Sequence, residues 1–205
     1  MLKQLALTSS VLLATLSIRP AIKVPKAEVP KYTADGSLIV PNYHEWIFLS
    51  SGIDMSYATP KDPDHHMFNN VFVNPAAYHS FLTTGHWPEG TMLMLENRAA
   101  GSPVSINKRG HTQSAEVMGN ELHVFDHGKW LFYDQDADSP TAKVIDAASA
   151  TSCFSCHETH AAVDTTFVQF YPTLYSVAKD KNTFSASYLK DEAAHAAKSS
   201  EPPSK

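Results

Sequence analysis

Two cysteines are all that the 205-residue chain contains, which excludes a disulfide-stapled scaffold. Sixteen Lys and Arg stand against 21 Asp and Glu, with no basic run, so no nucleic-acid partner is expected. Charged residues are few, at 18%, while 43% of the chain is hydrophobic and 10% aromatic. Such a composition has too much to bury to stay disordered. No internal repeat is visible. The length suits one domain with a sizeable core and short extensions.

The two ends differ from the middle. Residues 1–18 read as a secretory signal: Lys3 supplies a positive start, and an uncharged apolar run follows through Leu12, Leu13 and Leu16. The run is short for a bilayer core, which takes ~20 residues, so export is expected, with a membrane anchor if the signal is retained. Residues 19–31, with Pro20, Pro25 and Pro30, read as an extended lead-in. Residues 190–205 are rich in Ala, Lys and Ser and read as a short exposed helix with a flexible tail. The folded unit is expected over 32–189.

Within that unit, 43–49 reads as a short helix burying Trp46 and Phe48, and 62–66 as a loop. Residues 69–73 read as a strand and 75–84 as a helix opened by Pro75 and stopped by Gly85. Strands are expected at 91–98 and 130–134, with 115–117 and 122–125 as hairpin arms around Gly119-Asn120. A small-residue linker after Ile145 leads to helices over 153–162 and 166–178, the second interrupted at Pro172. Successive strands joined by short turns predict an α+β class, a mainly antiparallel sheet with a few flanking helices.

One short motif carries the chemistry. Cys153-Phe154-Ser155-Cys156-His157 has the C-x-x-C-H pattern of covalent haem c attachment. Thiols three apart lie on one side of a helical turn, where each adds across a haem vinyl group. The adjacent His157 then offers a neutral imidazole to the iron. A redox dithiol uses the same cysteine spacing but sits early in a thioredoxin-like unit, whereas this pair follows a sheet. A zinc site needs two more ligands, of which only His160 is near. The export signal agrees with haem c, which is generally attached outside the cytoplasm.

Four blocks in order carry a family resemblance: 72–78 (FVNPAAY), 85–91 (GHWPEGT), 153–157 with Asp164, and 167–172 (FVQFYP). They resemble the cytochrome P-460 family over roughly 36–178. The resemblance implies a periplasmic homodimer of largely antiparallel β subunits, each with one haem c attached through Cys153 and Cys156 and with His157 on the iron. It implies small nitrogenous or gaseous ligands such as NO or CO, electron transfer with a redox partner protein, or, as the alternative, an oxidoreductase acting on hydroxylamine or peroxide. The enzymes of the family carry a lysine bonded to a haem meso carbon, just before a glutamate. That position is Leu95, before Glu96, and a distal arginine of the family falls at Asn69. Both departures favour ligand binding over turnover.

The expected distal pocket therefore contains Met67, Phe68, Asn69 and Leu95, with Leu93 and Asn97 sharing the face of Leu95. Met67 is the candidate sixth iron ligand, although most buried methionines are core filler. Glu96 and Glu116 are candidate distal acid–base groups, Glu96 being the aligned one, although a lone glutamate in a strand usually sits on a solvated face. Lys108, the other nearby lysine, is expected in a solvent-facing loop. His65-His66 reads as an exposed loop pair and His160 as facing solvent or a propionate. Asp164 is a candidate to orient the proximal side through His157 or nearby backbone. Phe167, Phe170, Tyr171 and Tyr175 are expected as core or dimer contacts.

Overall fold

A computed structural model describes residues 28–55, 66–102, 105–137 and 139–199. The signal at 1–18, most of the lead-in, and His65 lie outside the described residues. Seven strands form one antiparallel sheet: β1 (Leu38–Ile39), β2 (Ile47–Ile53), β3 (Met67–Val73), β4 (Met92–Gly101), β5 (Thr112–Asp126), β6 (Lys129–Gln135) and β7 (Thr141–Val144). Their order across the sheet is β1-β7-β6-β5-β4-β3-β2. Among the described residues, four helices complete the α+β fold: α1 (Pro75–Thr84), α2 (Ala147–His160), α3 (Pro172–Lys181) and α4 (Ala186–Ser199).

Alternation along β4 divides the protein into two layers. Met92 and Met94 pack with Leu38, Tyr43, Leu122, Val124 and Tyr133 on one face. Leu93 packs on the other with Val73, Phe81, Trp87, Val168 and Leu174, in the layer that holds the helices. Each such large side chain contributes about 1.5–3 kcal/mol on burial. The helix α1 ends where expected, because Gly85 takes φ +76° and its amide donates to the Phe81 carbonyl. A Cβ there would lie 2.8 Å from both Lys181 Cβ and Thr183 Cγ2, so this stop also needs the missing side chain for space.

Three local expectations are corrected. Residues 43–49 are not one helix: a single 3-10 turn at Tyr43–Glu45 precedes β2, which pairs with β3. Gly119-Asn120 is not a hairpin turn but lies inside the continuous β5, where a bulge shifts its register against β4 between Asn97 and Arg98. The true turn is His127-Gly128, with φ +51° and +74°, joining β5 to β6. A His-Gly pair lacks the usual Asn or Asp, so the positive φ at the first position had no sequence signal. The stretch after Ile145 is not a linker: Asp146 caps α2 by accepting from the Ala148 and Ser149 amides at 3.0 and 3.1 Å. Residues 166–178 form a 3-10 turn at Val168–Phe170 followed by α3, split before Pro172 as its missing amide requires. The C-terminal segment is helical through Ser199, and α4 buries Tyr188 against the core.

Candidate haem site

Strand alternation and α2 together enclose a cavity of about 590 Å³ between the sheet and the helical layer. That volume falls within the ~300–1,000 Å³ common for cofactor sites. The sheet supplies Ser50 and Gly52 from β2, Met67, Asn69 and Val71 from β3, Leu93, Leu95 and Asn97 from β4, and Glu121 and His123 from β5. These residues alternate along each strand, as one face of a pleat demands. Facing them are Ser152, Cys153, Cys156 and His157 of α2, then Phe167, Phe170 and Tyr171.

Positions 153, 156 and 157 are spaced i, i+3 and i+4, so helix geometry puts both thiols and the imidazole on one side of α2. Neither thiol is tied in a disulfide. His157 Nδ1 lies 2.8 Å from the Thr165 carbonyl oxygen. A carbonyl only accepts, so Nδ1 carries the proton and Nε2 keeps its lone pair. Burial also pushes the His157 pKa down, and the hydrogen bond to Thr165 offsets this only in part. The result is a neutral imidazole with a free ligating nitrogen. Its ring packs against Phe167, His123 and Phe132, with centroids 4.5, 5.0 and 5.3 Å away. Two thiols, a neutral imidazole and a mainly apolar wall are the donor set and surroundings that a haem c group needs.

The expected distal residues divide by face. Met67, Asn69 and Leu95 line the cavity. Phe68 and Glu96 do not, because each is one position out of phase with its neighbours on the cavity face. Glu96, 2% exposed, is instead the centre of a polar cluster on the opposite face. Its oxygens accept from Arg98 Nε at 2.6 Å and Nη2 at 2.9 Å, from the Tyr43 hydroxyl at 2.7 Å and from Asn70 Nδ2 at 3.1 Å. Burial alone would raise the Glu96 pKa, but these hydrogen bonds and the Arg98 charge outweigh it and hold the carboxyl below its ordinary value. Glu96 therefore has no route to a ligand in the cavity.

Glu121 is the carboxyl that does reach the wall, directly across the β4–β5 ladder from Leu95. Burial raises its pKa, and the charge of Asp134 on β6 raises it further. Beside it, His123 is pushed down to about 3, first by burial and then by the neighbouring His157. Both residues were hidden by the mistaken hairpin: read as one strand, Glu121-Leu122-His123-Val124 alternates polar and apolar. The pair Asn69–Asn97 adds a polar patch, with Asn69 Nδ2 donating to Asn97 Oδ1 at 2.7 Å. The buried Asn69 Oδ1 has no hydrogen-bond partner among the described residues.

Outside the wall, Lys108 is exposed and donates to the Ser105 carbonyl, as expected of a loop lysine. Glu116 is exposed. His66 bonds Asp54 through Nδ1 at 2.7 Å, and His160 bonds Asp191 at 2.5 Å. Phe167, Phe170 and Tyr171 join the cavity rather than only the core, while Tyr175 packs on the core. Asp164 does not touch His157; its carboxylate accepts from the Trp87 amide.

A sheet backed by helices, with thiols, imidazole and apolar wall converging on one cavity, defines a haem-binding protein of the cytochrome class. The family described as Cytochrome P460 matches residues 40–168, more than half of the chain, and the chain belongs to that family. No curated protein matches it.

Proposed function

We propose that the protein is an exported, homodimeric cytochrome with one haem c joined through Cys153 and Cys156, its iron held by His157. It binds a small diatomic ligand such as NO or CO and exchanges electrons with a redox partner protein. The observation that carries this reading is that α2 turns Cys153, Cys156 and His157 toward the same cavity. Haem, when bound, supplies an iron centre able to take a diatomic ligand or an electron. His157 holds the metal through Nε2 while Thr165 fixes its ring. Val71, Leu93 and Leu95 present hydrocarbon, which favours neutral diatomics over water. The apolar run at 1–18 supports export, and the family resemblance supports the dimer.

Optical spectra of the purified holoprotein test this reading, ferric and reduced, with and without NO. A sharp c-type Soret band that moves on adding NO is expected, with no methionine-to-iron band from Met67. A broad, strongly red-shifted reduced band would contradict it, since it would mean that a lysine reaches the macrocycle despite Leu95.

Glu121 favours a second reading, an oxidoreductase acting on hydroxylamine or peroxide. A half-buried carboxyl with a raised pKa on the cavity wall is suited to take or give a proton. Turnover of hydroxylamine that is lost in E121Q, with haem content unchanged, would establish this reading. Absence of turnover in the wild type would leave ligand binding as the function.

A further inference from the structure

We infer that Asp164 is a positioning residue for the iron ligand, holding the Thr165 carbonyl against His157 and so setting how strongly His157 donates to the metal. This rests on the haem reading above. Asp164 and Thr165 are consecutive residues in left-handed backbone, with φ +47° and +57°. Neither is glycine, and left-handed backbone is unfavourable for residues with a Cβ, so the surroundings must hold them.

Four hydrogen bonds from the α1–β4 connection and from β6 do so. The Asp164 carboxylate accepts from the Trp87 amide at 2.9 Å and from His86 Nδ1 at 2.9 Å. Trp130 Nε1 donates to the Asp164 carbonyl at 2.9 Å. Trp87 Nε1, on a side chain only 5% exposed, donates to Thr166 Oγ1 at 2.7 Å. Residues before and after Thr165 are thus anchored on both sides. Among the described residues, the side-chain donor to the Thr165 carbonyl is His157 Nδ1, at 2.8 Å.

That bond has a chemical consequence. An imidazole that donates its second N–H to an acceptor is a more basic ligand. A more basic axial ligand stabilises ferric over ferrous iron and lowers the reduction potential. Losing the Asp164 carboxylate removes the contact that ties the strained pair to His86 and Trp87. The backbone then relaxes, the Thr165 carbonyl turns away, and His157 becomes the weaker donor.

The test uses purified haem-loaded protein and compares wild type with D164A, D164N and D191A. Midpoint potential and the iron–histidine stretch of the reduced form are read for each. D164A is expected to raise the potential and lower the stretching frequency. D164N, which keeps an acceptor oxygen for the Trp87 amide but lacks the charge, is expected between wild type and D164A. D191A breaks the His160–Asp191 pair on the same helix and is expected to change neither, which separates positioning from a general loosening of α2. Values for D164A matching wild type would overturn the inference. If D164A takes up no haem, D164N decides: a wild-type potential overturns the inference, and a raised one upholds it. A wild type without histidine-ligated haem would instead overturn the haem reading itself.

Discussion

Leu95 on β4 stands directly opposite Glu121 on β5, and both side chains face the same cavity. A leucine offers Glu121 neither charge nor hydrogen bond, and Asp134, its partner on the other side, repels it. Folding thus raises the Glu121 pKa above its unfolded value. Stability from this group is present below the unfolded carboxyl range and is lost as pH rises toward the folded pKa. E121Q is therefore expected to raise the melting temperature at neutral pH and to leave it unchanged near pH 4. Melting curves at both pH values check this. A lower melting temperature at neutral pH would mean that Glu121 has a stabilising partner.

On the opposite face, Glu96 has the reverse linkage. Its pKa is held below the ordinary value, so its contribution is present above the unfolded pKa and lost as pH falls through the folded one. Replacing it by alanine leaves Arg98 and the Tyr43 hydroxyl without their main acceptor. The expected loss is about 3–5 kcal/mol of unfolding free energy, as for breaking a buried ion pair. Denaturant melts measure it, and NO affinity of the folded fraction should stay at the wild-type value.

The motif was legible because its chemistry depends on spacing alone: Cys153, Cys156 and His157 need only a helical turn to converge. The helix over 75–84 was equally legible, since Pro75 and Gly85 mark both ends by backbone constraint. The distal wall was legible only in part: Met67, Asn69 and Leu95 line the cavity, but the carboxyl that joins them was not readable. Which carboxyl enters the cavity depends on strand phase, and Glu96 and Glu121 are both lone glutamates in strands. Only the β4–β5 pairing, with its bulge beside Arg98, separates them. Phe68 failed for the same reason as Glu96. The left-handed Asp164-Thr165 pair had no sequence signal either, because it is held by Trp87 and Trp130 from distant strands and turns.

His157 supplies a separable prediction. In H157A the two thiols remain on α2, so the haem is expected to stay attached while losing its nitrogen ligand. Added imidazole is expected to restore the wild-type ferric spectrum, since truncation leaves space beside Phe167 and His123. A ferric spectrum in H157A that already matches wild type would show that another residue holds the iron.

Covalent attachment of the haem is the central claim, and the most direct measurement is the intact mass of the purified haem-loaded protein after acid denaturation. One haem added to the polypeptide, retained through denaturation and lost in the C153S/C156S double variant, is the predicted result. A mass equal to the bare polypeptide, with haem released by acid, would contradict the account.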